Sequence, residues 1–198
     1  MDLFAPQAGL LPLPLDDGEL GWMAQLPLPW SNADVFARLL AETDWREETV
    51  IAYGKRHLQP RLSAWYGEKA YAYSGLLLQP TPFTPLLTVL RDAVEAATGH
   101  TFNSVLLNYY RNERDSMGMH SDDEPELGPR PAIASLSFGE ARTFILKHKH
   151  NKQTVRLALT DGSLLLMAGE TQRYWLHGIN KMTKSLQARI NLTFRKIV

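Results

Sequence analysis

The spacing of hydrophobic positions changes near residue 103. Before that point two stretches repeat at helical intervals. Val35, Phe36, Leu39 and Leu40 share one face behind the capping candidates Ser31 and Asn32, which predicts a helix near 33–42. Leu86, Leu87, Leu90, Val94 and Ala97 do the same over 83–98, with Gly99 as the stop. Between them, Tyr53-Gly54-Lys55-Arg56-His57 and Tyr71-Ala72-Tyr73 mix basic, aromatic and turn residues, the pattern of short strands joined by exposed hairpins. Residues 1–30 hold Pro6, Pro12, Pro14, Pro27 and Pro29 without a sustained period, which predicts an extended arm lying over a domain. From 103 onward β-type runs follow one another at 104–110, 132–138, 142–149, 153–159, 163–168, 172–177 and 188–196, with Gly or Pro in most gaps. That succession predicts an all-β barrel or two-sheet sandwich packed by the preceding helices.

The last run has an unusual face. Arg189, Asn191, Thr193 and Arg195 alternate with Ile190, Leu192 and Phe194, so the four polar side chains share one side of a strand. Taken alone, this is an edge strand with a solvated face. A sheet closed or sandwiched in a barrel needs both faces covered, however, and the polar side carries guanidinium forks that match carboxylates two bonds at a time.

Composition narrows the chemistry. The 198 residues contain no cysteine, which excludes disulfide scaffolds, iron–sulfur clusters, cysteine zinc sites and cysteine nucleophiles. Lys plus Arg equals 21 and Asp plus Glu equals 21, so nucleic acid is not gripped by bulk charge. No apolar run reaches the roughly 18 residues of a membrane span, and Leu10–Leu15 lacks the basic flank of a signal peptide. A soluble intracellular protein, cytoplasmic or nuclear, is expected.

Six histidines remain as ligands for a soft metal. In His120-Ser121-Asp122, positions two apart on an extended segment project to one side, so imidazole and carboxylate can share an ion. His177, after Tyr174-Trp175-Leu176, supplies a second imidazole. Two histidines and one carboxylate form the facial triad that suits non-haem Fe(II), and the same set could hold zinc. His148 and His150, among Lys147, Lys149 and Lys152, fit a solvated basic strand end or a backbone-phosphate contact.

The ordered set Asn108-x-Tyr110, His120-x-Asp122, His177 and Arg189-x-Asn191-Leu192-Thr193-Phe194-Arg195 resembles the AlkB family of Fe(II)- and 2-oxoglutarate-dependent dioxygenases, over about residues 48–198. Tyr73-Ser74-Gly75, the acidic run after His120, Ala132–Gly139 and the closing Phe194-Arg195-Lys196-Ile197 are similar to its duplex-preferring members. The resemblance implies an α+β, mainly β fold: a double-stranded β-helix, or jelly roll, with flanking N-terminal helices. An arm and helix over 1–45 would pack on a dioxygenase domain over 46–198, whose substrate lid spans about 50–75. It implies Fe(II) on His120, Asp122 and His177, which makes these the catalytic residues, with 2-oxoglutarate and O2 as co-substrates. Arg189 and Tyr110 would take the distal carboxylate of 2-oxoglutarate. Asn108, Asn191 and Arg195 would take its metal end, with Thr193 on the same wall. Tyr73 would stack on a flipped base beside Tyr71, Glu124 would face the cationic lesion, and Arg61 and Tyr53 would lie against the nucleic acid.

The implied reaction is oxidative demethylation of 1-methyladenine or 3-methylcytosine in DNA, single or double stranded, or in RNA, by a monomer. The segment between Lys149 and Thr154 is shorter than in the duplex-preferring members. Phosphate contacts would then fall to Arg142, Lys147, Lys149, Lys152, Lys181, Lys184 and Arg56. Two other readings are a hydroxylase or demethylase of protein side chains and a catalytically inactive nucleic-acid binding module.

Overall fold

The computed structural model describes residues 9–52, 55–68, 71–73, 76–78 and 81–198. The chain opens with β1 (Leu11–Leu13) and β2 (Glu19–Met23), then helix α1 (Asn32–Glu42), whose first turn is capped by Ser31 accepting the Asp34 amide. Strands β3 (Thr49–Ala52) and β4 (Lys55–Leu58) pair as one hairpin. Strand β5 (Leu62–Gly67) follows, and β6 (Tyr71–Tyr73) and β7 (Leu76–Leu78) pair as a second hairpin. Helix α2 (Pro85–Thr98) begins with the Thr84 side chain accepting from the Leu87 amide, and ends at Gly99 in the left-handed region. The remaining strands are β8 (Ser104–Tyr110), β9 (Met117–His120), β10 (Ile133–Gly139), β11 (Arg142–His148), β12 (Thr154–Leu159), β13 (Leu164–Ala168), β14 (Trp175–Ile179) and β15 (Arg189–Arg195). A single helical turn, α3 (Thr171–Tyr174), precedes β14.

Two antiparallel sheets form the body. The larger has the order β1-β2-β13-β10-β15-β8-β5, the smaller β12-β11-β14-β9. Strand alternation sorts the large sheet's side chains into two layers. Leu107, Leu136, Leu164, Ile190, Leu192 and Phe194 pack outward against Leu39 of α1 and Leu86, Leu90 and Val94 of α2. Leu106, Tyr110, Ile133, Leu165 and Met167 point inward to Phe144, Leu146, Trp175 and Ile179 of the smaller sheet. The polar face of β15 belongs to this inner layer, so all seven of its residues are buried.

Three features depart from the sequence expectation. Residues 11–23 are not an arm lying over the domain: β2 pairs with β13 from Glu19↔Ala168 to Met23↔Leu164, and β1 adds the edge strand. An edge tolerates Pro12, which has no amide to donate. The strand expected at 172–177 begins as α3, because Thr171 Oγ1 donates to the Ala168 carbonyl at 2.6 Å and the Arg173 and Tyr174 amides return to the Glu170 carbonyl. His148 is not solvated: its Nε2 sits 3.2 Å from Asp17 Oδ2 and its ring stacks on Tyr174.

Candidate metal centre and anion pocket

The two histidines of the triad are a cross-strand pair. His120 ends β9 and lies directly opposite His177 in β14, and their rings are 4.4 Å apart. Gly178 makes this pairing possible. A Cβ there would come within 2.9 Å of the Met117 and Gly118 carbonyl oxygens, so any other residue would push β9 away. Asp122 stands two residues beyond β9, fully buried. His120 Nε2 is 3.8 Å from Asp122 Oδ1, and His177 Nε2 is 3.9 Å from Oδ2. One donor atom from each of the three lies within 4.8 Å of the others, close enough to share one ion.

Protonation favours metal binding. His120 Nδ1–H donates to the Gly118 carbonyl at 2.9 Å, which leaves the Nε2 lone pair facing the carboxylate. Burial, and then the neighbouring His120, push His177 down to about 3, so it stays neutral. Burial resists ionisation of Asp122, but Arg195, His120 and His177 outweigh it and hold the carboxyl at about 2. Arg195 donates to Asp122 Oδ1 at 2.9 Å, while Oδ2 is buried with no hydrogen bond among the described residues. A buried, ionised oxygen without a donor is costly unless a cation meets it, so the donor set fits a metal ion.

Arg189 lines the same pocket and has no exposed surface. Its guanidinium sits 5.0 Å from the centre of the Tyr110 ring and donates to Ser137 Oγ at 3.0 Å, but Nε and Nη1 have no hydrogen bond among the described residues. Among the described residues no carboxylate lies within ion-pair distance of it. Burial, helped by the like charge of Arg142, outweighs the opposing pull of the Tyr110 hydroxyl and brings its pKa down to about 10, so it is still charged at neutral pH. An unpaired guanidinium in the interior has the chemistry of a waiting anion site. Asn191 Nδ2 donates to Ser135 Oγ at 2.8 Å and to the Leu136 carbonyl, and Thr193 Oγ1 donates to Asn191 Oδ1.

Of the residues singled out in the sequence, His120, Asp122, His177, Tyr110, Arg189, Asn191, Thr193 and Arg195 line this single pocket. Asn108 is the register partner of Asn191, but its Oδ1 accepts from Arg61 Nε at 2.6 Å. Arg61 itself is buried and reaches the Ser116 carbonyl. Glu124 is half-buried just ahead of the 3-10 turn Pro125–Leu127. Tyr53 and the side chains of Tyr71 and Tyr73 lie outside the described residues. Two cations expected at phosphates are engaged internally: Arg142 donates to the carbonyls of Asn112, Asp115 and Asn180, and Lys149 to Ser121 Oγ and the Gln172 carbonyl. Sequence reasoning missed Ser135 and Ser137, although both alternate with Ala134, Leu136 and Phe138 as polar positions on one face. Gln172 gave no signal.

A jelly-roll-like pair of sheets with two histidines, a carboxylate and a buried arginine in one mouth defines a metal-dependent oxygenase class. Comparison with known proteins agrees. The family model described as the 2OG-Fe(II) oxygenase superfamily matches residues 21–195. The human alpha-ketoglutarate-dependent dioxygenase alkB homolog 3 is 44% identical over 173 residues, covering 82% of this chain and 60% of that protein. The human DNA oxidative demethylase ALKBH2 is 45% identical over 159 residues, covering 75% of this chain and 61% of that protein. The chain therefore belongs to the 2OG-Fe(II) oxygenase superfamily and, within it, to the AlkB family. It spans about 60% of the length of these curated relatives. The solved structure of OsALKBH1 shares the fold, with a TM-score of 0.64 at 17% identity, covering 89% of this chain and 97% of that one.

Proposed function

We propose that the protein is an Fe(II)- and 2-oxoglutarate-dependent dioxygenase that demethylates N-alkylated bases, 1-methyladenine and 3-methylcytosine, in DNA. The observation that carries this reading is the unpaired, fully buried Arg189 in the same pocket as the triad. A metal site alone would need no second, unpaired cation in its wall, whereas a dicarboxylate needs one. His120, Asp122 and His177 would hold the iron. Arg189 would take the distal carboxylate through its free Nε and Nη1, with Tyr110 beside it. Asn191 and Thr193 would line the stem, and Arg195, already on Asp122, would reach the end nearer the metal. Asn108, held by Arg61, would act through its neighbour Asn191.

Bound iron, dioxygen and 2-oxoglutarate together supply the oxidising chemistry, the co-substrate leaving as succinate and CO2 and the methyl group as formaldehyde. The protein's contribution is positional: Asp122 is kept ionised, His177 is kept neutral, His120 is oriented by its bond to the Gly118 carbonyl, and the apolar walls Phe144, Leu159 and Met167 exclude water. The base substrate rests on the relative named a DNA oxidative demethylase and on the matching Tyr73 and Glu124. A methylated base that cannot pair is cheap to extrude.

The test is an oligonucleotide carrying 1-methyladenine, incubated with the protein, Fe(II), ascorbate and 2-oxoglutarate. Repaired adenine and one formaldehyde per succinate are expected. Iron-loaded protein that repairs no methylated oligonucleotide, single or double stranded, DNA or RNA, overturns the reading.

A further inference from the structure

Asp122 is the one triad member that no strand holds. His120 is fixed by β9 and His177 by β14, but Asp122 lies in the loop after β9, where no sheet partner sets its backbone. Its position depends on side chains. Arg195 holds Oδ1, and the Asp122 amide N–H donates to Gln172 Oε1 at 2.9 Å. Gln172 is 1% exposed and belongs to α3, five residues before His177. Its amide has one strong partner and one weak one: Oε1 accepts from the Asp122 N–H, and Nε2 faces the weak acceptor Met167 Sδ at 3.7 Å. Lys149, just past the end of β11, then staples the two pieces together. Its Nζ donates to the Gln172 carbonyl at 3.0 Å and to Ser121 Oγ at 3.1 Å, and lies 3.6 Å from Asp123 Oδ2. One short segment thus carries a metal ligand and the clamp for the ligand opposite.

We propose that Gln172, locked by Lys149, is a positioning residue for the metal: it fixes the Asp122 backbone so that the carboxylate faces both histidines, Oδ1 toward His120 and Oδ2 toward His177, before an ion arrives. The inference rests on the triad being the metal site. Removing the acceptor leaves a buried amide unmet and lets the loop relax, and outer contacts of this kind typically change metal affinity by about 10- to 100-fold. Lys149 sharpens the argument. Removing a cation near a metal should, by charge alone, favour the bound ion. A loss of affinity on removing Lys149 therefore reports the clamp and not the charge.

The experiment titrates metal-free wild type, Gln172→Met, Gln172→Glu and Lys149→Met with Co(II), following the d–d absorption, alongside the thermal midpoint of each metal-free protein. Gln172→Met keeps the shape and loses the acceptor, and should bind Co(II) about tenfold more weakly. Gln172→Glu keeps an acceptor oxygen and should recover most of that loss. Lys149→Met should also weaken binding, and it carries the test alone if Gln172→Met lowers the midpoint sharply. Affinities within twofold of wild type in both Met variants overturn this inference alone. No Co(II) uptake by the wild type overturns the triad reading, and this inference with it.

Discussion

Arg189 brings a full charge into the interior and finds there a hydroxyl and a ring face, but no carboxylate. Such a residue costs the empty protein stability and recovers it only when an anion arrives. Arg189→Met should therefore leave the thermal midpoint of the co-substrate-free protein unchanged or raised. The same variant should raise the 2-oxoglutarate concentration for half-maximal turnover by about 10- to 100-fold, the loss of about 1.5–3 kcal/mol from a charge-assisted pair. An unchanged requirement would remove Arg189 from its role. His177 sets a pH limit. Its pKa is about 3 when folded, below the ordinary 6.5, so between these values the unfolded chain binds the extra proton. Asp122, held at about 2, acts in the same direction below 3.8. Stability of the metal-free protein should be fully present above pH 6.5 and fall as the pH drops toward 3, a slope that His177→Gln flattens in midpoint-versus-pH measurements. At this scale the sequence was legible wherever residue type and alternation coincided, as for His120, Asp122, His177 and the four polar residues of β15. Gln172 was not legible, because a buried amide on a single helical turn has no spacing that marks it.

Among the elements, β9 and β14 carry the metal pair, and their closeness depends on Gly178. Gly178→Ala should push the strands apart, lower metal affinity in a Co(II) titration by at least about tenfold, and destabilise the fold. Thr84→Ala removes the cap of α2 far from the pocket, and should cost about 1 kcal/mol in denaturant unfolding with turnover per folded molecule unchanged. Together these two variants separate what builds the site from what merely supports the body. The long elements were visible in the sequence because they repeat their period: α2, β8, β10 and β15 fall within about two residues of where the pattern put them. The edge elements were not. β1 and β9 have three and four residues, and each is broken by Pro12 or Gly118, so nothing in their own sequence separates them from loops. Only a partner strand defines them.

For the whole molecule, the zero net charge now has a local distribution. Of the six described cations that the sequence offered to phosphates, Arg142 and Lys149 are taken by the protein's own oxygens. Lys147, Lys152, Lys181 and Lys184 remain exposed. Binding to methylated oligonucleotides should therefore weaken with salt only modestly, with a log–log slope of about −4 or shallower in fluorescence anisotropy. Metal should stabilise the body as a whole. Co(II) at about a hundred times its Kd should raise the thermal midpoint by about 5–10 °C, and His120→Ala, which removes one imidazole of the triad, should abolish the shift. The place of β15 has one more consequence. It lies in the middle of the large sheet, between β10 and β8, yet it follows all six of its sheet neighbours in the chain. During synthesis those six strands emerge around a gap, and a chain halted before Arg189 has neither the two arginines of β15 nor a closed sheet. The pocket is thus completed only after Arg189–Arg195 has been made, and a chain without that strand has no closed wall around the triad.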